Sequence, residues 1–325
     1  MGGVEIMEKR EWRWFLFITA GIASLALCNT GAGAVTLQLK LAKGKTYYQR
    51  TVIDQHVTQT VMNMQQVMDQ SMGTGVKMDV LAVDGRGNMR IRGTYNWSMS
   101  KRTGPLGSLD YDSAKQPTPP AGAEPFAALL GQGYLVKISP KGEVLDVNGI
   151  EELQAAVRKR LPPGAEADPA LGALNQFLDG KGIKQMVESA LSVYPDKPVE
   201  VGESWGKKRV MSPMFELTID SKWTLQKREA GMATIAMTSS LRSNADKPVE
   251  AGGMKMTFDL AGTQDGTLRM QEVTGLIVSG LAQQQLKGEI KVGDSAQAPV
   301  MMIPSVFDTK IKVEMSDRPL EPATK

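Results

Sequence analysis

Ser204 sits in Gly202-Glu203-Ser204-Trp205-Gly206, the G-x-S-x-G spacing in which a sharp strand-to-helix elbow presents a serine nucleophile. Such a serine needs a histidine to take its proton, and in the α/β-hydrolases that histidine follows it in the chain. The only histidine here is His56, far upstream. No strand-helix alternation surrounds Ser204, so the motif reads as a glycine turn before a strand. Ser204-Trp205-Gly206-Lys207 and Ser98-Met99-Ser100-Lys101 both fit S-x-x-K. Neither comes with the S-D-N or K-T-G elements of penicillin-recognising enzymes.

A softer chemistry is suggested by His56, Met62, Met64, Met68 and Met72, which share parity and would line one face of a single straight strand. Thioethers suit Cu(I). Methionine is also a common filler of irregular cores and adaptable apolar surfaces, and the 20 methionines are scattered along the whole chain. Packing is therefore the expected role and copper binding a remote alternative. No HExxH, EF-hand, Walker or GxGxxG-strand-helix pattern occurs. Glu151 and Glu152 fit the start of a solvated helix, where acidic charge complements the dipole. No catalytic, cofactor-binding or metal-binding residue is assigned, and the expectation is a protein that is not an enzyme.

Cys28 is the one cysteine. It ends Leu25-Ala26-Leu27-Cys28, which looks like the lipobox that places a diacylglyceryl anchor on a cysteine, although Leu27 stands where lipoproteins carry Gly, Ala or Ser. Lys9, Arg10 and Arg13 precede the apolar run 14–27, and Ala32-Gly33-Ala34 supplies a small-x-small cleavage pattern, so residues 1–34 read as an export signal. The run is shorter than the roughly 18 residues of a membrane span. Glu5, Glu8 and Glu11 offset the basic flank, and a start at Met7 in place of Met1 would remove Glu5. The expectation is an exported, periplasmic protein, free after cleavage, with a lipid on Cys28 or an uncleaved signal as the routes to a membrane. Cleavage after Ala34 would leave no thiol and no disulfide in the mature chain.

The net charge of +3 argues against a nucleic-acid partner, which asks for clustered Lys and Arg. Alternation at period 2 marks strands. Val35, Leu37, Leu39 and Leu41 form one such set, and Met89, Ile91, Gly93, Tyr95, Trp97 and Met99 form another after the turn at 84–88. Pro117, Pro119, Pro120 and Pro125 mark a loop, 134–147 a short hairpin. Helical spacing follows at 150–161 and 183–191, with a third short helix suggested by Leu171, Leu174, Phe177 and Leu178. After Pro198 strands return in a similar order. Residues 201–205 echo 43–47, the stretch from Trp223 to Met237 echoes that from Met78 to Thr94, and 272–277 resembles 140–145.

The stretches 43–60, 104–113, 139–147 and 198–205 together resemble a family of bacterial exported proteins and lipoproteins catalogued as a domain of unknown function. The resemblance implies an exported protein and carries no catalytic residues with it.

The expected fold is α+β, mainly antiparallel β: two related curved sheets or half-barrels with a helical insert. Its parts are a signal peptide (1–34), an N-terminal β half (35–116), a Pro-rich loop, hairpin and helical insert (117–198), a C-terminal β half (199–316) and a polar tail (317–325). The expected function is non-enzymatic binding of a lipid or other apolar ligand in the envelope, with Tyr95, Trp97, Trp205, Trp223 and Met237 as candidate cavity walls. A structural or interaction protein engaging another envelope protein is the alternative.

Overall fold

A computed structural model describes residues 33–105, 107–161, 178–191, 193–212, 215–251, 254–293 and 300–320. The export segment through residue 32 with Cys28, the expected helix at Leu171, Leu174 and Phe177, and the end of the tail lie outside the described residues.

The strands are β1 (Thr46–Val61), β2 (Met64–Val83), β3 (Met89–Gly104), β4 (Gly107–Asp112), β5 (Gly133–Ile138), β6 (Val144–Asn148), β7 (Ser204–Met211), β8 (Leu217–Glu229), β9 (Met232–Ser243), β10 (Val249–Ala251), β11 (Met254–Gln271), β12 (Ile277–Val292) and β13 (Met301–Ser316). Helix α1 (Glu124–Ala128) lies between β4 and β5, and α2 (Ile150–Arg158) and α3 (Gly180–Leu191) lie between β6 and β7. All strand pairs are antiparallel. They make one open sheet in the order β6-β5-β3-β2-β1-β13-β12-β11-β9-β8-β7, with β4 beside β3 and β10 beside β11.

One sheet replaces the two that were expected. The halves are joined by β1 and β13, which pair from Tyr48↔Ser316 to Gln59↔Ser305, so the hydrogen-bond ladder runs through the junction. Local alternation shows where strands are and not which strand of one half meets which of the other. The hairpin β5–β6 likewise does not stand apart as an insert; it extends the sheet beside β3.

Register sorts the side chains into two faces. Tyr47, Ile53 and Val57 of β1 share a face with Phe307 of β13, Leu286 of β12 and Leu241 of β9. Asp54 and His56 of β1 share the other with Asp308 and Lys310 of β13. The first face is apolar toward both ends and crossed in mid-sheet by a polar row, Gln70, Gln55, Thr309, Gln284 and Gln264; the second is polar.

At one end, called here the near end, the apolar face is filled. Residues 35–42 cross it as a strap whose Leu37, Leu39 and Leu41 are buried in the main core. The strap is held by the Val35–Val199 bridge, by Leu39 N–H donating to Pro140 O (2.8 Å) and by Lys40 N–H donating to Thr274 O (2.7 Å). Leu153 and Val157 of α2 and Ile183 and Leu191 of α3 pack into the same core, at the helical spacing that gives each helix one apolar stripe.

Two glycine turns at this end are bonded alike. Gly44 (φ +76°) donates to Val80 O at 2.8 Å, and Val80 N–H donates to Lys45 O at 3.0 Å. Gly202 (φ +92°) donates to Leu225 O at 2.7 Å, and Leu225 N–H donates to Glu203 O at 3.0 Å. The register of β2 against β3 shifts just after Val80, and that of β8 against β9 just after Leu225.

The near end also carries a half-buried ion pair. Arg228 donates from Nε and Nη2 to the two carboxylate oxygens of Glu272, at 2.8 and 2.9 Å, and from Nη1 to Gly33 O at 2.7 Å. The guanidinium holds the Glu272 carboxyl below its usual range, against an opposing push from burial. A carboxyl lowered in the folded state contributes stability above its unfolded pKa and loses it as pH falls through the folded one. Glu272→Gln should therefore cost about 2 kcal/mol at pH 7. In urea unfolding the gap between variant and parent should close on acidification below about pH 4; an equal gap at pH 7 and pH 3 would refute the assignment.

Candidate functional site

The five expected cavity residues do not share one wall. Tyr95, Trp223 and Met237 are buried in the main core on the apolar face, Trp223 directly opposite Met237 across β8 and β9. Tyr95 lies against Tyr134, ring centroids 6.0 Å apart, and burial pushes both hydroxyls up, that of Tyr134 to about 12. Trp205 packs on this core from β7, its Nε1 donating to Val193 O at 2.8 Å.

Trp97 is on the opposite face. The pairs Gly75↔Trp97 and Val76↔Tyr95 bracket a β-bulge at Asn96, and one extra residue reverses the parity on which Tyr95 and Trp97 were grouped. Trp97 instead fills the space left by Gly73 and Gly75. A Cβ on Gly73 would come within 2.3 Å of its ring. Its Nε1 donates to Asp112 Oδ1 at 2.9 Å, and the guanidinium of Arg50 lies 4.7 Å from its ring centroid. These contacts make Trp97 a structural anchor of the polar face.

The methionine segment is also divided by its fold. Met62 (φ +49°) and Asn63 (φ +61°) form the tight turn between β1 and β2, so the run is a hairpin and not one strand. His56 falls on the polar face opposite Asp69, whose Oδ1 is 2.7 Å from His56 Nδ1. Met64, Met68 and Met72 fall on the apolar face. Met64 and Met72 are eight residues apart on one strand, about 27 Å, so these thioethers and His56 do not converge on one ion. Among the described residues no group of three or more His, Cys, Asp or Glu side chains is placed to hold a metal ion.

What the hairpin disperses, the sheet regathers elsewhere. At the far end, where β1 turns into β2 and where β11 and β13 begin, lie Met62, Met64, Met254, Met256, Met301 and Met302. They come from three segments remote in sequence. Met256, Val292 and Met301 are joined by ladder pairs across β11, β12 and β13, and Met64 pairs with Val61 two strands further on. Met62 is 75% exposed, Met64 62% and Met254 53%; Met302, of the same parity as Asp308 and Lys310, is turned to the polar face. Behind this rim the apolar face continues through Phe258, Leu260 and Ile290, with Phe215 stacked on Phe258 at 4.4 Å.

The polar face carries an open recess of about 710 Å³ in mid-sheet. Asp54, Asp69, Asp265, Asp308, Lys101 and Lys310 line it, projected from five strands. Ser204 is not near it. It begins the sheet-edge strand β7, bonded to the Thr224 hydroxyl at 2.8 Å, and is six strand spacings, about 29 Å, from the strand of His56.

A family model described as "Family of unknown function (DUF6263)" matches residues 86–277, more than half of the chain. The chain belongs to DUF6263. The match runs from the turn before β3 to the first residue of β12, so in this DUF6263 protein it takes in both flanks of the sheet and leaves β1, β2, β13 and the rest of β12 at its centre outside. No curated protein matches the chain. Among solved structures, "Lipid-protein interactions in lipovitellin" is similar at 11% identity and a TM-score of 0.47, over 87% of this chain and 26% of that one. The DUF6263 chain thus spans about a quarter of that protein. The COG4313 outer membrane channel from Pseudomonas putida F1 is similar at 9% identity and a TM-score of 0.26, over 86% of this chain and 98% of that one. A DUF1329 family protein from Desulfovibrio piger is similar at 8% identity and a TM-score of 0.12, over 84% of each chain.

The rim and the recess of this DUF6263 member were both missed in the sequence. The rim had a partial signal in the paired methionines at 62 and 64, 254 and 256, and 301 and 302. The recess had none, because its residues are ordinary solvated-face positions until the register brings them together. Among the described residues no helix is long and apolar enough to cross a membrane.

Proposed function

We propose that this DUF6263 protein works outside the cytoplasmic membrane as a non-enzymatic binding protein for a lipid acyl chain, and that the methionine rim at the far end of the sheet is where the chain enters. The observation that carries this reading is the gathering of methionines from three remote segments at one end of an apolar face, with Met62, Met64 and Met254 exposed among the described residues. Thioether side chains are flexible and polarizable, so a methionine surface adapts to a chain of variable shape. The rim lies at strand tips and not along a free strand edge. An incoming peptide would find no open ladder there to satisfy its backbone, whereas an acyl chain asks for none.

The export reading of residues 1–34 supports the location. The order β6-β5-β3-β2-β1 followed, beyond β13, by β12-β11-β9-β8-β7 supports descent of the two halves from one ancestor, as do the matched turns at Gly44 and Gly202. Duplication would explain how one amphipathic strand pattern came to run the width of so large a sheet.

The test is titration with a fluorescent long-chain fatty acid. The parent should bind it at micromolar concentration, and the variant Met62→Gln, Met64→Gln, Met254→Gln should not. Equal binding by the two would place the site elsewhere.

A further inference from the structure

We infer that the polar face of the sheet is a second binding site, separate from the apolar rim, and that it takes an uncharged glycan chain lying across the strands. The recess of about 710 Å³ does not end at β11. A second recess of about 370 Å³, lined by Asp220, Lys222 and Thr238, shares Thr263 and Asp265 with the first. Together they make a groove from β3 to β8, eight strands wide. At about 4.8 Å per strand spacing that is roughly 34 Å, the length of a chain of several sugar units.

The groove's chemistry selects for hydroxyls. Its four mid-sheet carboxylates, Asp54, Asp69, Asp265 and Asp308, make no ion pair with Lys or Arg among the described residues. Asp54 accepts from the Ser71 hydroxyl at 2.5 Å, Asp308 from the Gln285 amide at 2.7 Å, and Asp69 pairs with His56. A carboxylate held only by neutral or weakly basic groups keeps lone pairs for further O–H donors. Lys310 and the Gln283 amide supply donors in the same groove, so both roles of a sugar hydroxyl are met. An anionic chain would meet five carboxylates, Asp220 included, against Lys101, Lys222 and Lys310, and Lys101 is already 3.0 Å from Asp110. Among the described residues no Phe, Tyr or Trp lines either recess, so binding would rest on hydrogen bonds without stacking on such rings.

Thr263 and Asp265 belong to both recesses and are exposed, so Thr263→Val with Asp265→Ala leaves the core untouched. Calorimetric titration of the whole chain with maltohexaose, cellohexaose and chitohexaose should show submillimolar binding of at least one. The double variant should weaken it at least tenfold while binding of the fluorescent fatty acid stays the same. The proposal is overturned if no hexasaccharide binds, or if the double variant binds as well as the parent. It is also overturned if the groove responds only to a cationic peptide such as pentalysine, with binding abolished by 0.5 M salt. Fatty-acid binding reports the rim alone, so failure of the glycan site leaves that reading where it stands.

Discussion

Gly275→Ala should destabilise the protein by about 3 kcal/mol or more, while the chemically identical change at Gly231 should cost about 1 kcal/mol. Both glycines have positive φ, +68° and +75°, where an alanine is strained. They differ in what surrounds them. A Cβ on Gly231 would meet nothing within 4 Å, whereas one on Gly275 would lie 2.1 Å from the carbonyl oxygen of Gln38 and 3.0 Å from Leu39 Cα. Those are backbone atoms of the strap, which no rotamer change can move aside. Relief requires lifting the strap, and with it the Lys40–Thr274 bond and the burial of Leu37, Leu39 and Leu41. The Gly275 carbonyl also accepts from the Tyr194 hydroxyl at 2.8 Å, so the turn is tied to the segment entering β7. Urea unfolding of the two variants beside the parent measures the difference. Equal losses would mean that the strap contributes little and that the near end is not sealed in the way described.

The second large effect concerns binding. Fully burying a methionine side chain is worth about 1.5–3 kcal/mol, and a rim residue that starts partly covered recovers about 1 kcal/mol of it. Three rim methionines replaced by glutamine should thus lower affinity for the fatty acid by about a hundredfold, since each 1.4 kcal/mol is a factor of ten. Met62, Met64 and Met254 are the residues to change because they are exposed, and exposed positions away from caps and cores cost little in stability. An unfolding midpoint close to that of the parent would show that lost binding is not lost fold.

Much of this fold was legible in the sequence, and particular residues show where legibility stopped. The turns at Gly44 and Gly202 could be matched because each glycine and the aromatic after it serve a local geometry, a positive-φ turn feeding the first residues of a strand. The strands themselves followed from alternation. The single sheet did not, because the pairing of β1 with β13 joins residues at opposite ends of the chain. Tyr95 and Trp97 were grouped by parity, and a bulge, which has no fixed sequence signature, set them on opposite faces. His56 and the methionines after it failed as a group for a related reason. Met62-Asn63 is not one of the glycine-containing pairs that announce a two-residue hairpin turn. The rim needed all of this at once, since its methionines become neighbours only when three hairpins stop at the same level.

The most direct measurement is oxidation of methionines by dilute hydrogen peroxide, read residue by residue by mass spectrometry with and without saturating fatty acid. Thioether oxidation follows exposure, and Met186 on α3, 37% exposed and remote from the rim, is an internal control. Acyl-chain binding at the far end predicts that Met62, Met64 and Met254 are slowed severalfold while Met186 keeps its rate. Unchanged rates at these three rim positions in protein that has bound the fatty acid would contradict it.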